Sequence, residues 1–356
     1  MPKHYTMQLK KRNLVILLIS IICFTYSSRG QAIENPGEYI TAINNARAEM
    51  DAKYMQYLSA AAHGRRARKV EKLRADVLES INQSKYKTTD LPKYKGDNSL
   101  RQGSIDYITM CYRVFNEDYK KIVDMEELAE QSFDEMQAYL LLQEMVTKKL
   151  TEASDKLHKT VMDFAGKYNV KIDETRSTLG SKLDVAGKLT DYTNAVFLIF
   201  FKCNWQDKEM VTAMNNKKVN DVEQSRNSLL RFANEGLSAL DTLKTFNGDP
   251  TLANACREAL KFYKKLAETD VPKLTDFYLK EENWAKTKKS FEAKSASSRT
   301  QADIDAYNKG VNEFNEAVNT FNKTNNVVNK DRTQMLNNWE VAQKKFADAN
   351  MPYYKG

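Results

Sequence analysis

Ile304-Asp305-Ala306-Tyr307-Asn308-Lys309-Gly310-Val311-Asn312-Glu313-Phe314-Asn315-Glu316-Ala317-Val318-Asn319-Thr320-Phe321 is the stretch on which the fold turns. Its apolar residues fall at alternating steps of three and four. The series continues through Asn325, Val328, Arg332, Met335, Trp339, Ala342 and Phe346. That period puts one apolar stripe on a helix and predicts bundle or coiled-coil packing. Only Asn325 and Arg332 interrupt it with polar side chains, marking a bend or an exposed step.

The same period runs back through the chain. Ile40, Ile43, Met50, Tyr54, Tyr57 and Ala61 form one stripe, Val70, Leu73, Val77 and Ile81 a second, and Ile105, Ile108, Tyr112, Phe115, Tyr119 and Ile122 a third. Strand-like alternation of useful length is missing, and Pro and Gly are scarce, at 6 and 12 residues. The expected class is therefore all-α. Gly64 suits a left-handed helix end. Leu91–Asp97 reads as a loop, and Asp124-Met125-Glu126-Glu127 as a capping box. Asp249-Pro250 and Asp270-Val271-Pro272 read as N-caps with Pro just inside a new helix.

Short matches recur at an offset of 152 residues. Ala61-Ala62-His63-Gly64-Arg65-Arg66 resembles Ala213-Met214-Asn215-Asn216-Lys217-Lys218, and Gly96-Asp97-Asn98-Ser99-Leu100 resembles Gly248-Asp249-Pro250-Thr251-Leu252. With a deletion, Tyr119-Lys120-Lys121-Ile122 meets Tyr263-Lys264-Lys265-Leu266, and Asp124 meets Asp270. Asn216 takes the place of Gly64, and both residue types tolerate left-handed backbone. The expected architecture is two tandem, duplicated antiparallel helical-bundle units plus a long C-terminal helix. The expected boundaries are 1–32 for a leader, 33–170 for unit 1, 171–187 for a junction and 188–356 for unit 2. The expected helices are 37–63, 65–85, 100–123 and 125–166, then 184–215, 217–245, 250–269, 272–293 and one from 301.

Lys3, Lys10, Lys11 and Arg12 precede an apolar run from Leu14 to Phe24, too short for a comfortable membrane span. This order predicts a secretory signal peptide cleaved after Ala32 or Gly30. Ile21 and Ile22 ahead of Cys23 argue against lipidation. The whole chain carries 55 basic and 47 acidic residues. Residues 1–32 hold five basic and no acidic ones, leaving 50 against 47 in the mature chain, so the basic sequence pI is not a nucleic-acid signature. No transmembrane span is expected after cleavage. Cys111, Cys203 and Cys256 remain, and reduced buried thiols or one internal disulfide both fit an exported chain.

At Tyr54-Met55, Ala60-Ala61-Ala62-His63-Gly64-Arg65-Arg66-Ala67-Arg68-Lys69-Val70-Glu71-Lys72, Phe115-Asn116-Glu117-Asp118-Tyr119 and Leu198-Ile199-Phe200-Phe201-Lys202-Cys203, the chain resembles a family of exported helical surface proteins of bacterial envelopes. The resemblance covers most of the mature chain. It implies a secreted or surface location and brings no activity with it.

Catalytic patterns are missing from the sequence. No Gly-x-Ser-x-Gly elbow, phosphate loop or dinucleotide fingerprint occurs, and no cofactor is expected. His63 reads as a helix-end residue. His158, three after Asp155, is one half of a pair of which a di-iron site needs two, so no metal is expected. Two regions remain as candidate sites. Arg65, Arg66, Arg68, Lys69 and Lys72 make a basic cluster, read either as a solvated helix start or as a patch for an anionic envelope partner. Phe197, Phe200, Phe201 and Trp205 lie in a segment greasy on all sides. Interior packing between the units is one reading of it, and a pocket wall or partner site the other. The function expected is a non-catalytic envelope or surface protein that binds a macromolecule. The alternative is a carrier of an apolar small molecule or lipid near Phe197–Phe201.

Overall fold

A computed structural model describes residues 33–64, 67–129, 131–172 and 178–355. The expected leader, Arg65, Arg66 and part of the expected junction lie outside them. The described chain is all-α and contains no strand. Helix α1 (Pro36–Ala62) and α2 (Ala67–Asp90) form a hairpin. Helix α3 (Ser99–Arg113) runs through a π turn (Val114–Asp118, π1) into α4 (Tyr119–Ala129), and α5 (Phe133–Lys167) closes the first bundle. The second bundle repeats the order: α6 (Thr178–Asn215), α7 (Val219–Thr242), α8 (Thr251–Lys265), a π turn (Leu266–Asp270, π2), α9 (Val271–Glu292) and α10 (Gln301–Asn350).

Several expected boundaries shift. Asp124 does not open a helix, since α4 runs through that position; the break comes at Ser132, whose hydroxyl accepts the Glu135 amide at 3.1 Å. Asp270 has helical backbone and makes no side-chain cap bond, so α8 continues into α9. The wider π turn accommodates Pro272, whose ring nitrogen has no proton for the carbonyl four residues back. Helix α6 begins at Thr178, six residues before the expected start at 184. The left-handed residue closing α6 is Lys217 (φ 52°) rather than Asn216, and Lys218 N–H bonds Ala213 O at 3.0 Å in a Schellman arrangement. Gly64 (φ 62°) has the expected left-handed backbone.

A spacing of 152 residues relates α2 to α7, α3 to α8 and π1 to π2 at both ends of each element. It also relates the turns Lys95-Gly96 and Asn247-Gly248, all with positive φ. Arg74 binds Glu71 and the Phe115 carbonyl; Arg226 binds Glu223 and the Ala267 carbonyl in the same way. This register is ungapped through Asp118 and Asp270. Tyr119 therefore corresponds in place to Val271, not to Tyr263 as the gapped sequence match has it.

The two bundles meet along α5 and α6, where Phe133, Met136, Tyr139 and Leu140 pack against Phe197, Leu198, Phe201 and Trp205. The C-terminal tail returns to α1. Gln56 Nε2 donates to Lys355 O at 3.1 Å, and Tyr354 N–H to Ser59 Oγ at 3.2 Å. Past the second bundle, α9 and α10 continue as a two-helix arm. From Asp276 round the tip to Glu316 no residue is buried. The seam is an aromatic ladder, with ring centroids 4.7 Å apart for Phe277–Phe321, 4.9 Å for Trp284–Tyr307 and 4.3 Å for Phe291–Tyr307.

Candidate functional sites

The four rings singled out in the sequence are split between two surroundings. Phe201 is buried in the interface between the bundles, with Phe197 and Trp205 beside it. Phe200, one residue earlier, turns into the core of the second bundle and stacks on Trp339 at 4.3 Å. Successive residues on a helix point about 100° apart. A segment greasy all round therefore serves two cores at once.

A cavity on the same helix lies more than two turns further on. It has a volume of about 320 Å³ and sits where the arm leaves the second bundle. Met210, Val211, Met214 and Asn215 of α6 line one wall, and Phe321, Asn325, Val328, Asn329 and Arg332 of α10 another, with Leu266, Leu274 and Tyr278 completing it. At the deep end Arg332 Nε donates to Asp207 Oδ2 at 2.7 Å. Burial works against the Arg332 cation, and the Asp207 carboxylate outweighs it, so the guanidinium pKa is raised. At the α9 side Tyr278 OH donates to Met214 O at 3.1 Å, and Lys217 Nζ binds Glu281 at 2.9 Å. Arg332, the cation on the wall, and Lys217, two residues past Asn215, are therefore both paired. Asn325 and Arg332, the two polar interruptions of the apolar seam, are both on its wall.

A second feature lies on the first bundle. Met125 of α4 and Ala138, Leu141, Leu142 and Met145 of α5 line an open apolar depression of about 410 Å³, edged by Lys121. Leu141 is 55% exposed and Met145 47%. They stand one turn apart on one face of α5, so their exposure is contiguous.

In the basic cluster, Arg68, Lys69 and Lys72 are exposed at the start of α2 and make no ion pair among the described residues. Arg65 and Arg66 lie outside those residues. His63 ends α1 as its position suggests, with Nδ1 2.7 Å from Ser59 O and its ring 3.7 Å from that of Tyr353. His158 is exposed. Cys111, Cys203 and Cys256 are free and buried. Burial pushes the thiols up, to about 12 for Cys111 and Cys256. Among the described residues no group of three or more His, Cys, Asp or Glu is placed to hold a metal, and no helix is long and apolar enough to cross a membrane.

The tyrosines of the first bundle are not among the site residues expected from the sequence. Tyr54 OH lies 3.5 Å from Tyr119 OH, and burial raises the pKa of both, as it does for Tyr107. Tyr54 and Tyr119 read as ordinary stripe residues because a periodicity does not register a hydroxyl at the tip of a ring. Compared with known proteins, the chain matches no family model, no curated protein and no solved structure.

Proposed function

We propose that the chain is an exported, non-catalytic protein of the bacterial envelope that acts by holding another macromolecule. In this reading it is built from two divergent copies of one four-helix unit. The order of basic flank and short apolar run at residues 1–32 supports export. The constant 152-residue spacing of helices, π turns and Arg–Glu pairs supports the two copies.

The observation that carries the binding reading is the open depression between α4 and α5. Two large apolar side chains about half exposed on one helix face are costly in water, and a rim-charged apolar hollow suits a protein partner. Methionine at two of its positions lets the surface adapt to what it holds. Exposed, and in no ion pair among the described residues, Arg68, Lys69 and Lys72 would add attraction to anionic envelope polymers.

The experiment is co-sedimentation of the protein with its envelope fraction, comparing wild type with a Leu141→Asp, Met145→Asp double variant. The wild type sediments with the envelope, and the variant moves to the soluble fraction with circular dichroism and Tm unchanged. A variant that sediments like wild type, or a wild type that never sediments, overturns the reading.

A further inference from the structure

Asn325 occupies the apolar seam of α10, lines the cavity at the base of the arm, and makes no side-chain hydrogen bond among the described residues. A carboxamide in a helix seam weakens packing unless it gains a partner. We propose that this cavity binds an uncharged small molecule with amide or hydroxyl groups along one edge and an apolar opposite face.

The charge inventory sets the first half of that description. Arg332 is gripped by Asp207 through two bonds, at 2.7 and 2.9 Å, and gives a third to Asn329 Oδ1 at 2.8 Å. Lys217 is paired with Glu281. A charged ligand would have to break one of these pairs and leave its partner charge unmatched, whereas a neutral one disturbs neither. Asn325 and Asn329 of α10 and Asn215 of α6 all line the cavity, and a carboxamide both donates and accepts.

The apolar half follows from Met210, Met214, Leu274 and Val328, of which Met210, Leu274 and Val328 are buried. Their methyl and thioether surface adapts to shape and gives no hydrogen bonds. The volume, about 320 Å³, lies at the lower end of small-molecule pockets, which run roughly 300–1,000 Å³. The backbone has been opened at the same place: Leu266, on the cavity wall, begins π2. Single π turns inside long helices often mark functional sites.

The ligand class separates this site from one near Phe197–Phe201, where rings fill the space and lipid would be the guest. It also stands apart from the α4/α5 surface, so the two readings fail independently. The test titrates the full chain with three probes built on one phenyl ring, benzamide, benzoate and toluene, followed by calorimetry and ligand-observed NMR. Benzamide binds, and benzoate and toluene bind at least tenfold more weakly. Asn325→Leu weakens benzamide tenfold or more and leaves toluene unchanged or tighter. Met214→Trp, which fills the cavity from α6, abolishes benzamide binding with the Tm held. The proposal is overturned if benzoate equals benzamide, if benzamide ignores both substitutions, or if none of the three binds at millimolar concentration.

Discussion

Arg332 holds Asp207 by two parallel hydrogen bonds, Nε to Oδ2 at 2.7 Å and Nη2 to Oδ1 at 2.9 Å, joining helices 125 positions apart in the chain. Asp207 is 3% exposed. Such a pair is favourable mainly relative to its broken form: removing one member leaves an unmatched buried charge, at a cost of about 3–5 kcal/mol. Arg332→Met should therefore lower the stability of the chain by that amount in urea unfolding. Asp207→Leu added to Arg332→Met should bring stability back to within about 1 kcal/mol of wild type, since apolar replacement of both partners is commonly neutral. A double variant as unstable as the single one would show that the pair does more than cancel its own charges.

Acid should act on the aspartates that hold helix ends and turns in place. Asp97 accepts Lys167 Nζ at 2.7 Å, the Ser99 amide at 2.8 Å and Tyr168 OH at 3.1 Å, and the lysine above all holds its carboxyl well below the usual range. At Asp249 burial opposes the charge, but bonds from Thr251 and Asn350 outweigh it, and that pKa is lowered too. Asp303 is lowered to about 2 by Lys294 and Thr300. With folded-state pKa values below the unfolded ones, the unfolded chain takes up protons first. The stabilisation is complete above the ordinary aspartate value of about 4 and fades as pH falls from there toward about 2. Urea midpoints measured from pH 7 to pH 2 should drop in that window. Asp97→Asn, which keeps the shape of the side chain but removes the charge that holds Lys167, should lower stability at pH 7 and flatten the acid limb.

The three cysteines are predicted to be chemically silent in the native state. A thiol pushed up to about 12, as at Cys111 and Cys256, is almost wholly protonated at pH 8, and the thiolate is the species that reacts. Labelling with N-ethylmaleimide, read peptide by peptide, should leave Cys111, Cys203 and Cys256 unmodified in buffer and modify all three in urea. Rapid native labelling at any one of them would mean that its helix opens locally.

Periodicity made much of the fold legible. The seam of α10 is the clearest case, since Val328, Met335, Trp339 and Phe346 of the expected series are all buried. The same pattern gave α10 its start at residue 301, where Thr300 and Asp303 form a capping box. Asn325 and Arg332 read only as interruptions, because their meaning lies in partners on other elements, Asp207 above all. The π turns were hidden for a different reason. A π turn widens one hydrogen bond without changing residue type, so a sequence match anchored on Tyr119 and Tyr263 places a gap where the backbone has none. The cavity leaves no mark in the sequence because its lining comes from segments far apart in the chain, none of them as apolar as the run at Val196–Phe201.

Gly236 gives the last prediction, since its helix context and its packing point in opposite directions. Gly to Ala inside a helix ordinarily stabilises by about 0.5–1 kcal/mol. At Gly236, however, a Cβ would lie 2.8 Å from Ile199 Cγ2 and 2.9 Å from Leu260 Cδ1, both inside van der Waals contact in a tightly packed core. Overpacking of that kind costs about 1–3 kcal/mol, so the clash wins. The position 152 residues earlier is Ser84, buried in the first bundle. The same place in the two bundles thus holds a hydroxymethyl group in one and no side chain in the other. Gly236→Ala should lower the urea midpoint, and Gly236→Ala with Ile199→Ala should recover part of the loss by removing the nearest obstacle. Gly187→Ala is the control: nothing lies within 4 Å of its Cβ position, so it should stabilise by the ordinary helix increment. Equal effects at Gly187 and Gly236 would show that the close approach of α6, α7 and α8 around Gly236 is not maintained in solution.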